Sequence, residues 1–164
     1  MQHPIPFDVL TTSNAVFSEC GRYRYSLQRE WAPAQKKVVL IGLNPSTADA
    51  TANDPTIRRC MDFARRWGFG GLVMLNLFAY RATDPEQLKT ALEPIGPDND
   101  EWIRHWVVQL DDVVAVWGNH GTHQDRDQAV KAMCGRLSIL KLNRSGQPAH
   151  PLYLPSSLTP KAWI

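Results

Sequence analysis

A run of apolar, mostly β-branched residues that stops at a proline constrains this chain more than any other feature. Val38-Val39-Leu40-Ile41-Gly42 carries no polar side chain, and Leu43-Asn44-Pro45-Ser46-Thr47-Ala48-Asp49 follows at once. An unbroken run of that kind, without alternation of polar and apolar positions, is a strand covered on both faces. Pro45 has no N–H to give to a ladder, and Gly42 permits backbone angles closed to other residues, so the strand ends there. The chain therefore breaks at the carboxyl end of a buried strand, where open α/β sheets hold their ligands.

Three further segments read as strands: Leu72-Val73-Met74-Leu75-Asn76-Leu77, Asp112-Val113-Val114-Ala115-Val116-Trp117, and residues 137–142. Helical patterns lie between them. Asp54-Pro55-Thr56 offers an N-cap followed by proline at the first helical position. From there Ile57, Cys60, Phe63, Ala64 and Trp67 share one face until Gly68 to Gly71 stop the helix. Asp84-Pro85 opens a short helix that ends before Pro94. Asp98 to Leu110 forms another, with Asp98 as N-cap and Trp102, Ile103, Trp106, Val107 and Leu110 as its stripe, and Gln124 to Cys134 a fourth. Strands alternating with helices predict one α/β domain over residues 1–164. The expected architecture is a three-layer α/β/α sandwich around a central four-stranded, mostly parallel sheet. The alternating stretch Gly21-Arg22-Tyr23-Arg24-Tyr25-Ser26-Leu27 adds an N-terminal β hairpin or edge strand.

A chain of 164 residues is long enough for one domain with a real core. No window approaches the roughly 20 apolar residues of a membrane helix, so no membrane partner is expected. Met1-Gln2-His3-Pro4 lacks the basic start and apolar core of a secretory signal. The three cysteines, Cys20, Cys60 and Cys134, are scattered and read as reduced thiols, which points to the cytoplasm. A net charge of +2 admits a polyanionic partner without demanding one. A monomer is the expected state.

Every buried strand ends in polar residues unsuited to a core. The first gives Asn44 and Ser46, the second Asn76, the third Asn119 and His120, and the segment after the fourth gives His150. In a doubly wound sheet these ends share one edge and converge on one crevice. A single Asn is explained by Asx-turns and left-handed conformations; four strand ends behaving alike favour a shared site. An Asn side chain offers one acceptor and two donors, enough to read the edge of a nucleobase, and it can hold a water while being a poor general base. Asp49 and Asp54 are candidates for a base or metal ligand, against a solvated loop and a helix cap. Arg58 and Arg59, in the first turn of the following helix, meet either phosphate, helped by the helix dipole, or solvent. His120 and His123 beside Asp125 and Asp127 make too weak a pattern for a metal site, and no metal or cofactor is expected. His3 and His105 read as surface residues. Gly68-Phe69-Gly70-Gly71 follows a helix instead of a strand, which makes it a turn and not a phosphate loop.

Several of these segments resemble a bacterial and phage family known only as a domain of unknown function, number 1643. They are Leu43 to Asp49, Asn53-Asp54-Pro55-Thr56-Ile57-Arg58-Arg59-Cys60, Asn76-Leu77-Phe78-Ala79-Tyr80-Arg81-Ala82-Thr83, Ile95-Gly96-Pro97-Asp98-Asn99-Asp100 and His150-Pro151-Leu152-Tyr153-Leu154. The order of motifs also resembles, more distantly, the uracil-DNA glycosylase superfamily. Its mismatch-specific members carry a Gly-Ile-Asn-Pro-Gly turn after the first core strand, where Gly42-Leu43-Asn44-Pro45-Ser46 stands here. That resemblance implies that Asn44 positions the attacking water, that Asn76 reads the base, and that His150-Pro151-Leu152 presses on the DNA minor groove. Ser46 stands in place of the glycine, and Leu152 in place of the usual serine.

The function expected first is therefore a DNA glycosylase-like hydrolase that flips a modified or mismatched base into a pocket. Asn44, His150 and Asp49 are the catalytic candidates. Gly42, Leu43, Pro45, Ser46, Asn76, Phe78, Tyr80 and Asn119 would surround the base, with Phe78 or Tyr80 stacking on it. Arg58, Arg59 and Arg81 would meet phosphates. An enzyme on free nucleosides or nucleotides and a non-catalytic nucleic-acid or nucleotide-binding module remain as alternatives.

Overall fold

Val38 and Leu40 face one side of a sheet while Val39 and Ile41 face the other, and all four are fully buried, because both sides are covered by helices. The computed structural model describes residues 12–164; the Met1–Pro4 opening, with His3, lies outside the described residues. Its strands are β1 (Thr12–Phe17), β2 (Arg24–Glu30), β3 (Lys37–Gly42), β4 (Gly71–Asn76), β5 (Val113–Ala115), β6 (Ser138–Ile139) and β7 (Lys161–Ala162). They form one seven-stranded sheet in the order β1-β2-β4-β3-β5-β6-β7. The four central strands, β4, β3, β5 and β6, are parallel, and β3 pairs with β4 from Lys37↔Gly71 to Gly42↔Asn76.

The expectation of a four-stranded sheet needs correction. The parallel core does hold four strands, but three more extend it. β1 and β2 form an antiparallel hairpin, and β2 continues the sheet by pairing antiparallel with β4. β2 is thus an interior strand, and the edge is β1. At the far side the two-residue β7 pairs antiparallel with β6. The strand expected over 137–142 shortens to Ser138–Ile139.

Helix α1 (Pro55–Arg66) covers one face and α3 (Asn99–Gln109) with α4 (Arg126–Cys134) the other, while the short α2 (Pro85–Thr90) lies between them in sequence. α1 begins as its sequence dictates: the Asp54 carboxylate accepts from Ile57 N at 2.9 Å, and Pro55 takes the position whose N–H would have no partner. Ile57, Cys60, Met61, Phe63 and Ala64 form its buried stripe. Full burial of side chains such as Ile57 and Phe63 stabilises by roughly 1.5–3 kcal/mol each. Asp84 caps α2 through Gln87 N. Asp98 occupies the N-cap position of α3 without a side-chain cap bond. The buried Asn99 ties that helix start to the end of β4 instead, donating to Asn76 O and Leu77 O. α4 starts at Arg126, later than the pattern predicts, because Gln124 and Asp125 adopt left-handed angles that end a preceding 3-10 segment, Asn119–Asp125.

All three cysteines are unpaired, and burial pushes the thiols of Cys60 and Cys134 up to about 12 and about 11. Among the described residues no helix is long and apolar enough to cross a membrane.

Candidate functional site

The carboxyl ends of β3, β4 and β5 open into a cleft of about 470 Å³. β3 ends in the turn that the sequence singles out, and backbone bonds pin that turn to the chain leaving β4. Gly42 O, Leu43 O and Pro45 O accept from Leu77, Phe78 and Ala82 N, respectively. Asn44 completes the clamp, donating through Nδ2 to Pro45 O at 3.0 Å and to Ala82 O at 2.9 Å. With both amide protons engaged, its side chain offers the cleft only the acceptor Oδ1. Gly42 packs closely: a Cβ there would stand 2.8 Å from Met74 Cε and 3.0 Å from Asn76 Oδ1, so those two side chains would have to shift.

Asn76 is buried at the end of β4, and its Nδ2 has no hydrogen-bond partner among the described residues. β5 leads into Val116 and Trp117, and Gly118, at φ +77°, turns the chain so that Asn119 and His120 come back to the cleft. Trp117 is fixed by a buried chain of bonds, its Nε1 donating to Gln147 Oε1 and Gln147 Nε2 to Asp127 Oδ2. Asn119 Oδ1 accepts from Asn143 Nδ2 and Ser145 Oγ, which ties this wall to the loop before His150. His150 stands exposed at the rim, where its Nδ1 accepts from Leu152 N at 3.3 Å. That bond assigns the ring proton of the neutral form to Nε2. Partial desolvation pushes its pKa below the ordinary imidazole value, against the opposing pull of Asp54.

The strand-end residues named from the sequence therefore come together: Gly42, Leu43, Asn44, Pro45, Ser46, Asn76, Asn119, His120 and His150 all line the one cleft. Others do not join them. Asp49 closes an Asx-turn, its Oδ1 accepting from Thr51 N and Ala52 N, and these bonds hold its carboxyl below the usual range. Phe78 is fully buried on the opposite face of the sheet against His123. Tyr80 packs edge-on against Tyr23. Arg58 is exposed on α1. Arg59 instead holds the C-terminal segment, donating to Pro151 O, Leu154 O and Ser156 Oγ, with its guanidinium over Phe63. Arg81 lies over Phe17 and donates to Gly21 O.

Two charged residues that the sequence analysis did not assign to a site also line the cleft, Arg24 from β2 and Asp84 at the cap of α2, and Asp54, a candidate from sequence, joins them. Arg24 sits in an alternating strand pattern that gives no hint of a site. Its position depends on a pairing irregularity that sequence does not display. Asp54 accepts from Ile57 N through Oδ1 and from Ala48 N through Oδ2. Among the described residues no group of three or more His, Cys, Asp and Glu side chains is placed to hold a metal ion.

Fold and site together define a mixed α/β protein with an asparagine-lined cleft at the ends of its parallel strands. The chain belongs to the family described as "Protein of unknown function (DUF1643)", whose model matches residues 24–152, a range that contains every cleft residue named above. No curated protein and no solved structure gives a significant match.

Proposed function

We propose that the cleft recognises a nucleobase and that the protein is a DNA glycosylase-like hydrolase, cleaving the N-glycosidic bond of a modified or mismatched base. The observation that carries this reading is the buried amide of Asn76, in the wall of a cleft of about 470 Å³, whose Nδ2 lacks an acceptor among the described residues. A buried donor left without a partner is a place for a ligand acceptor, and an exocyclic oxygen or ring nitrogen of a base supplies one. Asn44, with only Oδ1 free, accepts from a water and directs it at the sugar carbon as the bond to the base breaks and its electrons pass to the base nitrogen; the proton lost by the water is taken up by the departing base. His150, with its proton on Nε2, stabilises the departing base anion from the rim. Leu43, Met74 and Trp117 supply apolar contact to the ring. The likeness of Gly42 to Ser46 to the mismatch-specific glycosylase turn supports the reading. So do the four parallel strands with helices on both faces, which fit the three-layer sandwich of that superfamily. Asp49, Phe78 and Tyr80, engaged elsewhere, have no part in it.

A free nucleoside or nucleotide is the second substrate class. It is favoured by the engagement of Arg59 and Arg81 with protein carbonyls, which removes two of the cations expected to grip a DNA backbone. The test is incubation of the purified protein with base-modified and mismatched duplexes and with free nucleosides and nucleotides, followed by assay for released base. Release from duplexes, abolished by Asn44→Ala with binding retained, is the expected result. Release from free nucleotides alone selects the second class. If nothing is released from any substrate and Asn44→Ala behaves as wild type throughout, the hydrolase reading is overturned, and ligand binding without turnover would define a binding module.

A further inference from the structure

Three arginines are buried among the described residues: Arg24 at 2% exposure, Arg29 at 0% and Arg126 at 3%. Two are accounted for inside the fold. Arg29 donates through Nε to Asn53 Oδ1 and through its terminal nitrogens to the carbonyls of Asn14, Gln28, Asp49 and Ala52. Arg126 donates to Leu77 O and pairs with the Asp100 carboxylate. Among the described residues the Arg24 side chain makes a single hydrogen bond, Nη1 to Ala48 O at 3.1 Å. Among the described residues its Nε has no acceptor, and it forms no ion pair within 4.0 Å. Asp54 attracts it from farther off, but both Asp54 oxygens already accept backbone N–H groups, while Arg29 and Arg81 add positive potential. Burying a guanidinium on these terms is costly unless an anion arrives.

The backbone goes out of its way to put the residue there. Val16 and Phe17 of β1 lie opposite Ser26 and Arg24, which leaves Tyr25 as an extra residue in β2. Such a bulge re-aims a side chain. Tyr25 turns to the α3 side, where its hydroxyl accepts from Asp98 N, and Arg24 joins Leu27 and Arg29 on the α1 side and lines the cleft.

We propose that Arg24 is an anion-binding residue of the cleft and that the ligand presents a phosphate oxyanion to it. The choice of phosphate rests on the nucleobase reading; the anion site itself does not. A guanidinium suits this group because it offers several N–H donors in one plane to oxygens of one centre. Although burial pushes its pKa down to about 10, Arg24 remains charged at neutral pH. The phosphate belongs either to a free nucleotide or to the DNA backbone beside an extruded base, and the chemistry is the same.

The test uses the full chain at constant ionic strength, with sodium chloride balancing each addition. Inorganic phosphate, a deoxynucleoside, its 5′-monophosphate and a duplex carrying an abasic site are titrated while tryptophan fluorescence and the Arg24 Nε–H resonance are followed. Inorganic phosphate is expected to shift that resonance, and the monophosphate to bind at least tenfold more tightly than the nucleoside. Arg24→Met, which removes a poorly compensated buried charge, is expected to fold, to bind the nucleoside as before and to lose the tenfold preference; Arg24→Lys keeps part of it. Tighter binding of the duplex than of the monophosphate assigns the phosphate to DNA, and the reverse assigns it to a free nucleotide; both support the proposal. Equal binding of nucleoside and monophosphate, or an Nε–H resonance unmoved by phosphate, overturns it. Nucleoside binding in that outcome would leave the nucleobase reading standing, and phosphate binding without any nucleoside binding would sink the base and keep the anion site.

Discussion

Both amide protons of Asn44 go to backbone carbonyls, those of Pro45 and Ala82, so the side chain holds the strand-end turn together and presents one acceptor outward. An acceptor alone orients a water without taking its proton. The same geometry predicts unequal costs for two small changes. Asn44→Ala removes two hydrogen bonds and should cost about 1–2 kcal/mol. Asn44→Asp sets a carboxylate oxygen against two carbonyl oxygens and should cost more, on the order of 2–4 kcal/mol. Thermal unfolding checks the order; an Asn44→Asp protein as stable as wild type would show that the clamp does not matter. His150 gives a pH dependence. Its folded pKa lies below the ordinary value of 6.5, so between those two values the unfolded chain binds more protons than the native one. Stability should therefore rise with pH across that window and level off above 6.5. Protonation also takes away the lone pair by which Nδ1 accepts from Leu152 N, which loosens the rim of the cleft on the acid side. A proton NMR titration should place the His150 midpoint below 6.5, and a midpoint at or above it contradicts the account.

Helix α1 works at the scale of an element as a clamp for the end of the chain. Arg59 reaches Pro151 O, Leu154 O and Ser156 Oγ, and one helical turn beyond its buried stripe Trp67 Nε1 donates to Leu158 O at 2.9 Å. His150 and Leu152, at the start of that segment, line the cleft. Arg59→Ala should therefore speed amide exchange across residues 150–158 and weaken ligand binding about tenfold or more, whereas Arg58→Ala, on the exposed side of the same turn, should leave both unchanged. Weaker binding with exchange unaltered would instead make Arg59 a phosphate ligand, as its place in the first turn suggests from sequence. This residue marks the boundary of what the sequence discloses. Local signals are legible: the apolar runs of β3, β4 and β5, the Asp54-Pro55 start of α1, and the asparagines at the strand ends each follow from a few adjacent residues. Arg59 bonds partners more than 90 positions away, and nothing near it in sequence announces them. Arg24 is illegible for a related reason. Its orientation follows from one unmatched residue in the pairing of β1 with β2, a property of two strands together. The seven-stranded width has the same origin, since β7 is two residues long and exists only against β6.

The cleft is assembled from distant parts of the molecule: Arg24 from the hairpin, residues 42–46 after β3, Asn76 from β4, Trp117 to His120 after β5, and Asn143 and His150 from the C-terminal quarter. They lie on strands, strand ends and loops far apart in sequence, so a ligand touching all of them ties distant segments together. Charge contributes little to this coupling at long range, because the net charge is only +2 and Arg29, Arg59 and Arg126 are turned onto protein acceptors. The stabilisation must come from contact, and its size follows from mass action. A ligand at one hundred times its Kd stabilises the folded state by about 2.7 kcal/mol. For a chain of 164 residues that corresponds to a rise in Tm of roughly 5–11 °C. The distribution of the effect is the sharper expectation. A saturating 5′-monophosphate should slow amide exchange together in residues 24–30, 42–46, 116–121 and 143–152, although these segments are far apart in sequence. Protection confined to one of them would mean that the ligand sits on a single loop, and the cleft as a joint binding site would have to be abandoned. Arg24→Met separates the contributions: protection should then persist at 42–46 and 116–121 and disappear from the hairpin, since the hairpin reaches the ligand through that side chain.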